Sequence, residues 1–527
     1  MILLRPAGAG LRKDKLGLCH ELRSILSPLC TSLTPSGGGP ESRSTPGRVN
    51  AWQCAPRFST STVVDHGQLN YPCFRSATCV LRVKERNIAL VNDSESQGTI
   101  GPATLTGLVV ASMIGAGVFV TSGYALADLG SPNRVMLAWL IGGIIATCGA
   151  ISYGALVKRM TMSGGEYLFL SRTFHPLVGF VAGWVSLLAG FTGAIAFAAL
   201  ALEAYLPGYP AFLPRGSIAS ILVIVTAVLH IKNVRVGTIP QNVVISLKLS
   251  VIVLFLGYAF CTAPQATEVV TSAIPSFSIS VFATSLMWIS LSYSGFNAAV
   301  YVAGEARNAK RNVPMALAIG TFLVMLIYLA LNAVFVYLPP LESVAGREDI
   351  AVAAAESIGG KGLVAVVRTV ILLALTTSVS AMVMLGPRVY ARMANDGLFP
   401  KIFSTGDKRI PRAAIALQGV LAIIVIWAAM LKELLSYLGF TLSLCSALAV
   451  SSLFILRRRE GAEKVPVWAY PFPPAIYIGA TLVFAGLAAR RNPWEMFATL
   501  ITILSGAIVY LIVARRIKRT MLRDDVG

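Results

Sequence analysis

An apolar stretch at about residues 101–127, GPATLTGLVVASMIGAGVFVTSGYALA, is long enough to cross a lipid bilayer as one helix. Gly115-Ala116-Gly117 interrupts it at mid-depth, where lipid cannot replace lost backbone hydrogen bonds. A second stretch, VFATSLMWISLSYSGFNAAVYVAGE, is interrupted at Ser294-Gly295-Phe296. Interrupted membrane helices are tolerated only against protein or a water-filled cavity, and a pair of them points to a transporter binding site.

The composition excludes a soluble globular protein. The 527 residues are 55% hydrophobic and 13% charged, and the mean hydropathy is +0.72, which predicts an all-α polytopic membrane protein. The net charge of +20 does not indicate a nucleic-acid partner, because Lys and Arg lie at the ends of apolar segments. The eight cysteines match no metal-site spacing, and no disulfide framework can be argued.

Residues 1–97 are rich in Ser, Thr, Pro, Gly and Arg and are predicted to be a disordered N-terminal extension. Two interpretations of this extension stay open. Its composition has some likeness to an organellar transit peptide, and the alternative is a mis-called translation start. Residues 98–527 are predicted to form the membrane domain.

About twelve transmembrane helices are expected in that domain. The segments are 101–127, 135–157, 174–203, 216–231, 238–260, 279–304, 314–338, 361–393, 411–431, 433–456, 472–490 and 495–515. The division at Leu431-Lys432-Glu433 rests on only two charges. The loop at 338–362 is either a short surface helix or a plain connector.

The charged loops alternate along this series. The loops after the even-numbered segments are rich in Lys and Arg, whereas the opposite loops hold only Arg134, Arg215, Arg347, Lys361, Lys432, Arg490 and Arg491. By the positive-inside rule both termini are cytoplasmic, and the membrane is expected to be the cell membrane.

The free backbone groups of a broken helix suit a zwitterion. N–H groups at one half-helix attract a carboxylate, and carbonyl groups at the other attract an ammonium. We predict carboxylate recognition by Gly115, Ala116 and Gly117, and ammonium recognition near Ser112, Met113 and Ile114. The predicted second part of the site is Leu291, Ser292, Tyr293, Ser294, Gly295 and Phe296. Close packing through small residues is the alternative interpretation of GAG.

Lys248 lies near the middle of the fifth apolar segment, where a cation is costly unless it is paired or wet. We predict that it forms a coupling site with Ser378 and Ser380, as a fixed charge or as a proton carrier. The alternative is a structural ammonium that caps carbonyl groups of a broken helix. Both interpretations place it beside the first break.

Four further residues are predicted to act as gate or structural groups. Glu166 and Glu305 lie at the cytoplasmic boundary, where a salt bridge to Arg or Lys is the expected role. Asn297 is expected to satisfy loosened backbone, and Trp288 is expected to close over a bound ligand. The sequence contains no Walker A loop, HExxH motif, nucleophile elbow or Cys/His metal spacing, so the chain is not predicted to be an enzyme and no cofactor is expected.

Several segments resemble the amino acid–polyamine–organocation transporter superfamily, in its amino acid permease and L-type exchanger branch. They are GLVVASMIGAGVFVTSG, MSGGEYLFLSRTFHPLVGFVAGWVSLLAG, LSYSGFNAAVYVAGEARNAKRNVPMAL and GPRVYARMANDGLFPKIFS. The resemblance implies a five-plus-five inverted-repeat fold and a site at the broken first and sixth helices. It implies that Lys248 stands in for a sodium ion. A bulky aromatic gate is frequent in the family where this chain has Leu291.

The predicted function is secondary active transport of an amino acid, with a neutral side chain, by proton symport or exchange. Three alternatives stay open: an amino acid sensor or accessory protein of the same fold, a carrier of polyamines or other organic cations, and a channel. The predicted partners are the substrate and the lipid bilayer. Whether an accessory subunit binds is left unknown.

Overall fold

The computed structural model describes residues 98–210, 212–232, 238–262, 276–404 and 411–524, with backbone alone for 238–245 and 516–524. The predicted extension at 1–97 lies outside the described residues. Within the described residues nearly all regular structure is helical, and residues 92–527 form one compact unit.

The apolar segments of the sequence fold into the following helices. They are α1 (Pro102–Met113), α2 (Ala116–Leu129), α3 (Pro132–Arg159), α4 (Gly165–Thr173), α5 (Pro176–Val185), α6 (Ala194–Ala204), α7 (Ser217–Ile231), α8 (Thr238–Thr262), α9 (Ile279–Ser292), α10 (Ala309–Tyr337), α11 (Leu341–Val344), α12 (Ile350–Asn395), α13 (Arg412–Ala428), α14 (Leu431–Glu460), α15 (Phe472–Arg491) and α16 (Pro493–Asp524). A π-helix, Ser186–Gly193, joins α5 to α6, and Ala298–Glu305 is a 3-10 helix.

Eight of the described spans are long and apolar enough to cross a membrane, and four shorter apolar helices accompany them. The prediction of a polytopic helical membrane protein is therefore confirmed. The count of twelve spans stays a prediction, because the shorter helices do not reach that length.

Burial sorts the helices into a centre and a periphery. The span Pro176–Ala204 is the most buried and Pro493–Arg515 the least. Helix α10 packs on α1 and α3, while α9 packs on α2, α14 and α15. The exposed Leu500, Ile501 and Ile508 of α16 are the side chains expected to face lipid.

The two broken segments are also tied together at their ends. Ile100 and Ala306 form an isolated parallel bridge. The Ile100 N–H donates to the Glu305 carbonyl at 3.1 Å, and the Arg307 N–H donates to the Ile100 carbonyl at 2.9 Å. The start of α1 and the end of the 3-10 helix are thereby held side by side.

The division before α14 is real and lies two residues earlier than the charges suggested. Helix α13 ends at Ala428 and α14 begins at Leu431. The carboxylate of Glu433 accepts the Met430 N–H at 3.0 Å and so satisfies one free donor of the new helix. Glu433, one of the two charged residues that predicted this division, therefore caps the start of α14.

The segment before the eighth predicted span contains a short helix and is not a plain connector. Helix α12 begins at Ile350 and bends at Gly360, whose φ of 63° favours glycine. Ile350, Ala354 and Ala355 are fully buried. This short helix packs its apolar face on the bundle and leaves Glu356 exposed, as the amphipathic pattern predicted, and its role as a lid stays a prediction.

Close helix contacts at glycine give a test of the packing. A Cβ atom at Gly439 of α14 would overlap the Met287 carbonyl of α9, whereas one at Gly479 of α15 would meet nothing within 4 Å. We expect Gly439→Ala to destabilise the fold by about 1–3 kcal/mol and Gly479→Ala to have no such effect. Thermal unfolding in detergent measures both, and equal midpoints would contradict the packing.

Candidate functional site

The first break exposes carbonyl groups that the chain itself satisfies. Ile114 and Gly115 separate α1 from α2, and the Gly115 N–H donates to the Met113 carbonyl at 2.8 Å. Lys248 of α8 is 4% exposed, and its ammonium donates to the Ile114 carbonyl. A cation at the carbonyl end of α1 is electrostatically favourable. The structure therefore places Lys248 beside the first break, as both interpretations of it required.

The second break lies directly against the first. Helix α9 ends at Ser292, and the following 3-10 helix begins at Ala298. Gly295 between them has a φ of 96°, and a Cβ atom there would lie 2.8 Å from the Ser112 carbonyl oxygen. Glycine is required at position 295 for two reasons: the positive φ, and the close approach of the Ser112 carbonyl.

Tyr328 of α10 links the two breaks. Its hydroxyl lies 2.5 Å from the Met113 carbonyl oxygen and 3.1 Å from that of Ser292, and it donates to both. The rings of Trp139 and Tyr293 hold the Tyr328 ring at centroid distances of 5.3 and 5.1 Å. Sequence reasoning missed Tyr328, because one tyrosine in an apolar helix gives no signal of its partners.

A cavity of about 120 Å³ lies beside the breaks. Among the predicted residues it is lined by Ser112, Ser294, Gly295, Phe296, Asn297, Glu166 and Ser378. Its further walls come from the π-helix and from α6, α12 and α14. The Ser378 side chain is 5% exposed and its hydroxyl has no hydrogen-bond partner among the described residues. A buried unpaired hydroxyl at a cavity wall is available to a ligand or to water.

The other residues predicted at the breaks do not line this cavity. The residues Met113, Ile114, Gly115, Ala116, Gly117 and Ser292 are buried and are not among those that line it. A Cβ atom at Gly117 would lie 2.6 Å from Ser292 Cα, so close packing requires this glycine. A Cβ atom at Gly115 would lie 3.2 Å from the Ser378 hydroxyl. Leu291 and Tyr293 line a separate cavity of about 30 Å³.

Ser380 and Trp288 lie away from the positions that the sequence suggested. The Ser380 hydroxyl pairs with His230 Nε2 of α7 at 2.9 Å, so it is not beside Lys248. Trp288 is 2% exposed, and its indole N–H donates to the Ser436 hydroxyl of α14 at 2.8 Å. Trp288 therefore packs between helices and does not line the cavity.

Glu166 corrects the prediction of a boundary salt bridge. It is 4% exposed and accepts hydrogen bonds from the Tyr153 hydroxyl at 2.9 Å, the Asn297 amide at 2.5 Å and the Tyr301 hydroxyl at 2.6 Å. All three donors are neutral groups, and Glu166 makes no ion pair among the described residues. The Asn297 side-chain amide thus donates to Glu166 and not to the free backbone groups of the second break. Glu305 does form the expected ion pair, with Arg388 at 2.8 Å.

This arrangement suits a small polar ligand. Several water molecules would fill about 120 Å³, but the volume is below the range of about 300–1,000 Å³ of drug-sized pockets. No group of His, Cys, Asp or Glu that could hold a metal occurs among the described residues. The polar groups at the wall are hydroxyls, the backbone at the breaks, the Asn297 amide, the Cys445 thiol and the carboxylate of Glu166.

The sequence and the fold both match known transporters. The family model described as amino acid permease matches residues 100–505. The b(0,+)-type amino acid transporter 1 of Mus musculus is 27% identical, over 77% of this chain and 85% of its own. The serine/threonine exchanger SteT of Bacillus subtilis is 26% identical, over 76% of this chain and 94% of its own.

The solved structures include a nucleobase-cation-symport-1 family transporter, Mhp1, in a closed conformation with bromovinylhydantoin bound. It matches with a TM-score of 0.50 and 17% identity, over 82% of this chain and 96% of that one. This likeness concerns the fold alone. It confirms the predicted five-plus-five inverted-repeat class.

The link through Tyr328 can be tested on stability. Tyr328→Phe removes the hydroxyl that joins the Met113 and Ser292 carbonyls, so we expect a loss of about 1–2 kcal/mol in the free energy of unfolding. The matched control is Tyr337→Phe, because the exposed Tyr337 hydroxyl donates to Asn133 at the surface. Thermal unfolding in detergent should separate the two variants. Equal stability would show that the hydroxyl does not hold the breaks.

Proposed function

This chain belongs to the amino acid permease family, and from that premise we propose that it is a secondary active carrier of amino acids. Residues 98–527 form the carrier domain, and the substrate cavity alternates between the two faces of the membrane around the broken segments. The observation that carries the proposal is the contact of the two breaks at one cavity, where Gly295 lies against the Ser112 carbonyl. Backbone freed in this way can bind and release a zwitterion.

The proposed substrate is a small amino acid with a neutral side chain. The cavity of about 120 Å³ has small residues in its wall, among them Gly190, Ala194 and Ala381. Among the described residues Glu166 is the one acidic residue in that wall, and its carboxylate already accepts hydrogen bonds from three donors. A cationic side chain is therefore not required to balance it. The names of the relatives, a serine/threonine exchanger among them, agree with an amino acid substrate.

Two groups are proposed to recognise the parts of the substrate common to all amino acids. Ala116 and Gly117 are the first residues of α2, so no carbonyl of a preceding helical turn accepts their N–H groups. These N–H groups attract a carboxylate. The Ser112 carbonyl and the hydroxyls of Ser294 and Ser378 border the cavity and accept from an ammonium. The carboxylate contact requires the wall at Gly115 to open, since Ala116 and Gly117 do not line the cavity.

Coupling by proton symport or by exchange is proposed, and Lys248 supports both. As a fixed positive charge, its ammonium binds the Ile114 carbonyl oxygen in the place of a metal cation. Both termini are proposed to be cytoplasmic, in a cell membrane, from the charge of the loops.

The test is uptake of a radiolabelled amino acid mixture into proteoliposomes that hold the full chain, with and without an inward proton gradient. Saturable uptake that the gradient enhances supports symport, and uptake only into preloaded vesicles supports exchange. Binding without flux would replace the carrier by a sensor. Flux that does not saturate would indicate a channel.

Gly295→Ala should lower this uptake at least about tenfold, because alanine is strained at positive φ and overlaps the Ser112 carbonyl. The matched control is Gly397→Ala, which has a φ of 77° and nothing within 4 Å. Both variants are compared at equal incorporation into vesicles. Normal uptake by Gly295→Ala would contradict a site at the breaks.

Lys248→Gln tests the coupling site. Loss of the ammonium leaves the Ile114 carbonyl without its charged donor, so we expect uptake to fall at least about tenfold with or without the gradient. Uptake that persists but no longer responds to the gradient would instead identify Lys248 as the proton carrier. Unchanged uptake and unchanged gradient response would exclude both roles.

A further inference from the structure

A layer of aromatic rings and one ammonium lies on the opposite side of the breaks from Glu166. It consists of Tyr124 of α2, Trp288 of α9, and Lys432 and Ser436 at the start of α14, and is called the aromatic layer below. Trp288 precedes Ser294 by six residues and Tyr124 follows Gly117 by seven. At the rise of a helix both rings lie about 10 Å from the breaks, on the face where α14 begins.

The Lys432 ammonium holds this layer together. It lies 5.3 Å from the ring centroid of Tyr124 and 5.3 Å from that of Trp288. The two rings are themselves in edge contact, with centroids 6.2 Å apart. One cation over two aromatic faces joins α14 to both α2 and α9 at once.

Hydrogen bonds close the same layer from two sides. The Trp288 indole donates to Ser436, one turn after Lys432. The Tyr124 hydroxyl donates to the Glu348 carboxylate at 2.7 Å, in the loop before α12. Lys432 makes no ion pair among the described residues, and the neighbouring Glu433 caps its own helix at Met430. The rings are therefore the partners that orient the ammonium.

Helix α14 reaches from this layer to the cavity. Leu442, Cys445 and Ser446, further along the helix, line the cavity that touches the breaks. Tyr124 and Trp288 are both buried. Separation of the start of α14 from Tyr124 and Trp288 would break the contacts of Lys432 and Ser436.

We propose that Lys432 is the gate residue that holds the cavity closed toward the face where α14 begins, by binding Tyr124 and Trp288 with its ammonium. This proposal rests on the proposed function, since a gate of this kind serves alternating access. Removal of the cation weakens the closed state and leaves the cavity and the breaks intact. Arginine at this position keeps a cation over the rings and keeps the gate.

The test uses Cys445 as a native reporter inside the cavity. All other cysteines of the full chain are replaced by serine, and a membrane-impermeant methanethiosulfonate is added to proteoliposomes from the face of Lys432. We expect Lys432→Gln to raise the labelling rate of Cys445 at least about fivefold, because it removes the cation–π contacts to both Tyr124 and Trp288. Lys432→Arg and the exposed control Lys361→Gln should both stay within about twofold of the parent rate.

A second measurement guards against a folding defect. In a double-mutant cycle, Tyr124→Leu and Lys432→Gln should be non-additive in labelling rate, because both remove the same contact. Additive effects, or a rate for Lys432→Gln equal to that of the parent, would overturn the proposal.

Amino acid flux measured on the same vesicles separates the two proposals. If labelling responds to Lys432→Gln but no variant transports amino acid, the gate stands and the carrier function fails. If flux is normal and labelling does not respond, the carrier function stands and the gate is wrong.

Discussion

The structure depends on how the backbone groups freed at two helix breaks find partners inside a membrane. Lipid offers no hydrogen bonds, so each free carbonyl must be satisfied by protein or face a wet cavity. Lys248 serves the Ile114 carbonyl, and Tyr328 serves those of Met113 and Ser292. Gly295 lets the second break lie against Ser112. These contacts bring helices from distant parts of the chain to one point and create the cavity there.

The two sides of the breaks have different chemistry. On one side the buried carboxylate of Glu166 collects donors from α3 and from the residues after the second break. On the other side the contacts are aromatic, with Lys432 above two rings. Helix α14 borders both the cavity and the aromatic layer. A polar network and a layer of rings differ in how readily they separate, which is a physical basis for opening one side at a time.

Much of the fold could be predicted from the sequence, and less of the site. Apolar segments, the position of Gly115 and Gly295, and the depth of Lys248 follow from composition and spacing along one helix. The bonds from Glu166 to Asn297 and from Ser380 to His230 could not be predicted, because each joins elements far apart in the chain. Glu166 looked like a boundary residue, since hydropathy cannot show that Tyr153 and Tyr301 enclose it.

By itself the sequence determined that this protein is a helical membrane protein with interrupted first and sixth segments, because bilayer thickness and backbone hydrogen bonding act on each segment alone. Its motifs also determined the resemblance to amino acid permeases. Only the tertiary structure decided which polar groups meet. In the tertiary structure Ser112, Ser294 and Ser378 line the cavity, whereas Gly117 and Trp288 do not. The Lys432 ammonium lies over the Tyr124 ring. Helix packing fixes these choices, since the face that a side chain presents depends on its neighbours in space.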